Sequence, residues 1–151
     1  MNDGFVLEKT VYLADTNAEG NVYFARFFDW QGETREAYLK QAMSPEEFSA
    51  MMGSGLRLVT TNASMVYHAP AYLFDEVRIQ MRTRNIRNAT LEMVFRYVNK
   101  KTEKLVAEGI QRLAFQGNNG HLLHIPEPIR RIALEIEETP SSVEVKGQTV
   151  P

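Results

Sequence analysis

The order of elements in this chain predicts an α+β protein, an antiparallel sheet wrapped against one long central helix. Three observations carry that expectation. Residues 22–42 contain no proline and repeat their apolar positions with a helical period. The chain from residue 56 onward divides into four β-rich segments separated by turn residues. One more β-rich segment precedes the helix.

Residues 5–13 (FVLEKTVYL) alternate loosely and are rich in β-formers, which predicts a first strand. The ADTNAEGN stretch that follows clusters Asp, Asn and Gly and predicts a turn or the start of a helix. The long helix is expected from Val22 to about Ala42. Ser44-Pro45-Glu46-Glu47 reads as an N-cap, a proline at the first helical position and an acidic first turn. A short second helix should therefore run to near Gly53. Residues 56–67 are expected as a strand with mixed faces. Residues 76–84 alternate cleanly, with Val77, Ile79 and Met81 on one face and Arg78, Gln80 and Arg82 on the other. Strands over 89–98 and 105–115 follow, joined by the Asn99-Lys100-Lys101-Thr102 turn, and Gly117-Asn118-Asn119-Gly120 marks another turn. Pro126 and Pro128 introduce a short amphipathic helix over 129–136. A single domain is expected over residues 1–137, with 138–151 as a flexible tail poor in large apolar residues. One small sheet leaves edges to be covered, so a symmetric oligomer is expected.

Composition narrows the function. The 151 residues suffice for one core, and 44% hydrophobic with 24% charged content is ordinary for a globular domain. A net charge of −2 and a pI near 5.9 supply no basic stripe, so nucleic acid is not an expected partner. The absence of cysteine excludes disulfides, thiolate nucleophiles and cysteine-bound zinc, and fits a reducing compartment. MNDGFVLEK lacks a signal pattern and no apolar run approaches membrane-spanning length, so a cytoplasmic protein without a membrane partner is expected. His68, His121 and His124 form no metal motif, and no nucleophile elbow or nucleotide fingerprint occurs; neither metal nor cofactor is expected. The methionines of residues 43–52 read as a flexible cover over the core.

Two features stand out against this background. On a wheel of about 100° per residue, Phe24, Phe28, Gln31, Tyr38 and Ala42 share a narrow sector flanked by Phe27, Gly32 and Leu39. Arg26, Asp29, Glu33 and Lys40 lie opposite, yet Arg35 falls almost directly above Phe24, within the apolar stripe. Its guanidinium either snorkels out or pairs with a carboxylate such as Asp15 or Glu36, or it meets a polar substrate group. The second feature is the turn. Asn17, Gly20 and Asn21 lie just before the expected helix, where free N–H groups favour negative charge and stabilise a tetrahedral oxyanion; the alternative is that Asp15, Asn17 and Asn21 only cap.

The stretch from Asp15 through Asn17, Gly20, Asn21, Val22 and Tyr23 to Phe24 resembles the signature of hotdog-fold thioesterases of the 4-hydroxybenzoyl-CoA type. Val66-Tyr67-x-Ala69-Pro70-Ala71, Asp75-x-Val77-x-Ile79 and the closing Ile125-Pro126-Glu127 are similar to that family's later elements, and the resemblance covers residues 5–136. It implies a hotdog fold, thioester hydrolysis and a homodimer, commonly paired into a tetramer. One position departs. Where most members carry an Asp as base or nucleophile this chain has Asn17, whose amide takes no proton at neutral pH. Thr16-Asn17, Gly20 to Tyr23, and Trp30-Gln31-Gly32-x-x-Arg35-Glu36 are similar to a narrower branch, the thioesterases that accompany iterative enediyne-type polyketide synthases.

That branch implies an acyl chain released from the phosphopantetheine of an acyl carrier protein. Asn17 and Arg35 then orient the thioester and its β-carbonyl, and the Phe24 N–H donates to the oxyanion. Gly20, Asn21 and Tyr23 complete the turn that receives substrate. The loop of residues 84–90 lies where the family contacts phosphopantetheine or nucleotide: Arg87 faces a phosphate and Thr90 donates a hydrogen bond, or both sit on an exposed hairpin. Thr60 and Asn62 line the site from an adjacent strand or are satisfied core polar residues. Two other readings stay open: an acyl-CoA thioesterase that uses another carboxylate, Asp15 or Glu36, and a hotdog protein that binds an acyl chain or carrier without turnover.

Overall fold

The computed structural model describes residues 3–139; residues 140–151, most of the expected tail, lie outside the described residues. In chain order the elements are β1 (Phe5–Thr10), a 3-10 turn at Leu13–Asp15, α1 (Arg26–Ala42), α2 (Pro45–Gly53), β2 (Arg57–Tyr67), β3 (Glu76–Arg84), β4 (Thr90–Asn99), β5 (Leu105–Gln116) and α3 (Glu127–Glu135). The strands form one antiparallel sheet in the order β1-β3-β4-β5-β2.

Alternation decides which face of the sheet is dry. Val77, Ile79 and Met81 of β3 are fully buried, as their spacing predicts, and Leu91, Met93, Phe95 and Tyr97 continue the layer on β4. Helix α1 closes this face with Phe27, Trp30, Gln31, Thr34 and Tyr38. Two ring pairs knit the layers, Phe27 meeting Tyr67 and Tyr97 edge-on with centroids 5.4 and 5.3 Å apart, while Trp30 of the same helix packs edge-on to Phe27 at 5.3 Å. At the far end α3 turns Ile129, Ile132 and Ala133 inward and is fastened by two hydroxyls. Tyr38 donates to the Ile132 carbonyl and Thr83 to the Ala133 carbonyl, each at 2.6 Å.

Three sequence expectations are corrected. The first strand stops at Thr10, because residues 13–15 curl into a 3-10 turn whose Asp15 carboxylate accepts the Tyr12 N–H at 2.9 Å. The long helix begins at Arg26, not Val22. Asn21 and Val22 are instead extended, bridging to Tyr72 and Thr16, and the Val22 N–H donates to the Ala71 carbonyl at 2.8 Å. The buried stripe is also rotated. Phe24 lies ahead of the helix and is 56% exposed, while Trp30 and Thr34 occupy the centre.

Helix α2 starts as its sequence predicts, with Ser44 Oγ accepting the Glu47 N–H at 3.1 Å and Pro45 at its first position. Strand β2 is an edge of the sheet, and most of its eleven residues are exposed. Among the described residues no helix is long and apolar enough to cross a membrane.

Candidate active site

The turn at residues 16–25, just ahead of α1, is held by its own amides. Asn17 N–H donates to the Asn21 carbonyl at 2.9 Å and Gly20 N–H to the Asn17 carbonyl at 3.0 Å. Gly20 holds φ +85°, a left-handed geometry that suits glycine. Asn17 Oδ1 accepts the Glu19 N–H at 3.0 Å, so its amide nitrogen is the part left to face a ligand. Asn21 Oδ1 is buried without a partner among the described residues, an acceptor that a ligand N–H would satisfy.

The start of α1 is tightened by short-range bonds: Arg26 N–H to Tyr23 carbonyl, Phe27 N–H to Phe24 carbonyl and Phe28 N–H to Ala25 carbonyl, at 2.9, 3.3 and 3.1 Å. No side chain caps the helix at Ala25. The N–H groups of Phe24 and Ala25 accordingly donate to no acceptor among the described residues. They sit at the positive end of the helix dipole, where partial negative charge is favoured. Asn17, Asn21, Phe24 and Phe27 face Tyr67 and residues 68–71 across a cleft of about 420 Å³. Tyr23, Ala25, Arg26 and Asp29 line a second hollow that also borders Asn17.

Arg35 is elsewhere. It lies nine residues beyond Arg26 on α1, about 14 Å along the axis. Its guanidinium donates to Gln111 Oε1 at 2.8 Å and to Glu36 Oε1 at 2.9 Å. Gln111 Nε2 passes the chain to Gln31 Oε1 at 3.3 Å, and Gln31 Nε2 ends it at the Ser64 carbonyl, also at 3.3 Å. Both glutamines are buried, so a polar chain crosses the apolar layer from Arg35 to edge strand β2. Arg35 also borders a small cavity of about 50 Å³ between α1, α3 and the sheet, otherwise lined by apolar and aromatic side chains and Thr83. The Glu36 pairing expected for Arg35 forms; the Asp15 pairing does not, because Asp15 Oδ1 faces Arg26 at 3.6 Å.

The remaining candidates are dispersed. Thr60 pairs with Leu113 in the register and so shares the helix side of the sheet. A bulge between Thr60 and Asn62 then puts Asn62 opposite Arg112, on the outer face. Arg87 and Thr90 close the β3–β4 turn, with Arg87 N–H on the Thr90 carbonyl at 2.8 Å. That turn lies at the opposite end of β3 from the Asn17 turn, roughly 27 Å away along the strand. One chain thus gathers Asn17, Asn21 and Phe24 in one place, with Arg35 in another and Thr60 on the edge strand. Tyr67, Gln31 and Gln111 were not singled out from sequence as site residues; a glutamine inside an apolar stripe was the available signal for Gln31.

On the outer face Glu92 is held by Arg84, Asn85 and Arg112, at 2.9, 2.9 and 2.6 Å. Burial pushes its carboxyl up, but the hydrogen bonds from Arg112, Arg84 and Asn85 outweigh that and hold it down at about 2. His68 pairs with Glu108 at 2.8 Å. Among the described residues no group of three or more His, Asp or Glu could hold a metal ion.

Residues 11–139 match the model of the thioesterase-like superfamily. The chain belongs to that superfamily. The crystal structures of the dynemicin thioesterase, described with polyene binding, superpose on this thioesterase with a TM-score of 0.83 at 29% identity, over 91% of this chain and all of that one. A 1,4-dihydroxy-2-naphthoyl-CoA hydrolase from Thermosynechococcus vestitus is 25% identical over 122 residues, covering 81% of this chain and 83% of its own. The acyl-CoA thioester hydrolase YbgC of Escherichia coli O6:H1 is 30% identical over 95 residues, 63% of this chain and 69% of its own. The fold of this thioesterase is the hotdog fold expected from its sequence. Its class of reaction is thioester hydrolysis. Donors at the α1 start, with no carboxylate at position 17, suit a reaction in which negative charge grows on a carbonyl oxygen.

Proposed function

We propose that this thioesterase releases an acyl chain of polyketide or β-ketoacyl type from the phosphopantetheine of an acyl carrier protein. The observation that carries the reading is the uncapped start of α1, where Phe24, its N–H bonded to no acceptor among the described residues, lines the same cleft as Asn17. Water adds to the thioester carbonyl, the oxyanion collects the Phe24 N–H and the Asn17 amide, and collapse expels the thiolate, which leaves as the thiol with the proton from water. A thioester is activated enough for positioning and electrostatics to suffice without an aspartate base. Asp15 is tied to Tyr12 and Arg26, and Glu36 to Arg35, which disfavours either as a replacement base. The similarity over almost the whole chain to the dynemicin thioesterase, described with polyene binding, supports a long unsaturated acyl chain. The similarity to two acyl-CoA hydrolases supports CoA as the second carrier to test.

Arg35 joins the site through a second copy. Strand β2 is a long exposed edge, and two such edges pair antiparallel about a two-fold axis. That pairing sets the Tyr67 end of one β2 against the Arg57 end of the other. Phe24 and Asn17 of one copy then approach Thr60 and Arg35 of its mate, and Gly20, Asn21 and Tyr23 line the approach. Arg87 and Thr90 are assigned to the carrier arm, and pairing of dimers gives a tetramer.

The test is thiol release from one acyl chain presented on carrier protein and on CoA, by wild type, Asn17→Ala and Arg35→Ala. Each variant alone should lose at least about tenfold in kcat. A mixture of the two should recover activity, because one of the two sites in a mixed dimer keeps both residues. Full activity in both variants would remove the site assignment. Inactivity of the wild type on both carriers would favour a binding protein, and preference for CoA would favour the acyl-CoA reading.

A further inference from the structure

A helix start can be held in two ways. A capping side chain accepts from the first free N–H groups, which steadies the turn but occupies those donors. Alternatively, partners grip the carbonyls of the same turn and leave the N–H groups outward. Helix α1 is held in the second way. Ala25 supplies no cap: Asp15 spends its oxygen on Tyr12 N–H and Asn17 on Glu19 N–H, and Asn21 Oδ1 accepts from no N–H among the described residues. Tyr67 of β2 instead donates its hydroxyl to the Phe24 carbonyl at 2.9 Å, and Tyr97 of β4 donates to the Phe27 carbonyl at 2.7 Å.

The grip has a direct geometric result. A peptide group is planar, so fixing the Phe24 carbonyl also fixes the direction of the Ala25 N–H across the same bond. The Tyr23 carbonyl, bonded by Arg26 N–H at 2.9 Å, fixes the Phe24 N–H in the same manner. Tyr97 is fully buried, so its hydroxyl needs an acceptor in any case. Tyr67 is 43% exposed and water would satisfy it, so burial does not explain why it reaches Phe24. Tyrosine hydroxyls are protonated at neutral pH, and burial pushes both of these further up, so both remain donors.

We propose that Tyr67 and Tyr97 are positioning residues for thioester hydrolysis, holding α1 by the carbonyls of Phe24 and Phe27 so that two adjacent N–H groups, Phe24 and Ala25, meet the oxyanion. This rests on the Phe24 assignment above and adds Ala25 as second donor and the two residues that aim the pair. Tyr67→Phe keeps the ring that packs on Phe27 and removes only the hydroxyl. In the full-length chain its kcat should fall about tenfold with KM within about twofold, the pattern of an interaction made in the transition state. Its melting temperature should match wild type. Its Phe24 and Ala25 amide resonances should shift and exchange faster with solvent. Tyr97→Phe should show the same kinetic split together with a lower melting temperature. An unchanged kcat in Tyr67→Phe, a loss carried by KM, or unmoved Phe24 and Ala25 amides would each overturn the proposal. If wild type releases no thiol, the functional reading fails separately; the amides still decide the grip, which unmoved resonances would overturn and shifted ones support.

Discussion

An ideal Cβ at Gly109 would overlap the Gln31 amide nitrogen and lie 2.8 Å from the Ser64 carbonyl oxygen. The glycine on β5 is therefore the space through which Gln31 reaches the edge strand, and through which Arg35 is anchored at one remove. Gly109→Ala should lower stability by about 1–3 kcal/mol, read by denaturant unfolding, because the clash involves backbone as well as a side chain. Little of this was legible beforehand. Arg35 could be recognised as misplaced from helical spacing alone, and Glu36 as a partner. Gln111, its other partner, lies 76 residues away and becomes visible only when β5 is placed beside the helix. Asn17 stands out in the sequence because a family pattern has Asp there; that its Oδ1 is used on Glu19 does not.

At the scale of elements, legibility followed the source of each element's stability. β3 has the bounds its alternation predicts, since its side chains alone decide which face is dry. α2 was legible through its cap, and Ser44→Ala should cost about 1 kcal/mol, measured as a lower melting temperature with the fold retained. The start of α1 was misread for the opposite reason. Residues 22–25 continue the helical period, but Val22 is held extended by Ala71 and Tyr72 lies against Asn21, contacts some fifty residues distant. Local pattern carries no trace of them. The missing cap at Ala25 belongs to the same lesson: the fastening comes from tyrosines on β2 and β4.

Across the whole molecule, the Arg84–Glu92–Arg112 cluster ties three neighbouring strands on the face away from α1. Because folding lowers the Glu92 carboxyl from 4.5 to about 2, the cluster stabilises the fold fully above about pH 4.5. That contribution is lost as pH falls towards 2. Thermal unfolding across this range should therefore show a steep fall for wild type and a shallower one for Glu92→Gln, with the variant less stable at neutral pH. The α+β architecture was legible from element order alone. The separation of Arg35 from Asn17 was not, because spacing on a wheel aligns residues around a helix and says nothing of the length between them.

The turn beside Asn17 is stitched to itself, to the 3-10 turn through Tyr23 and Asp15, and to the chain before β3 through Val22 and Ala71. A wall tied on three sides has no hinge. Its hydrogen-bonded amides, those of Asn17, Gly20, Val22 and Tyr23, should exchange with solvent as slowly as those of the sheet. Arrival of substrate should then wait on no swinging loop, with an encounter rate set by how well the incoming chain is oriented.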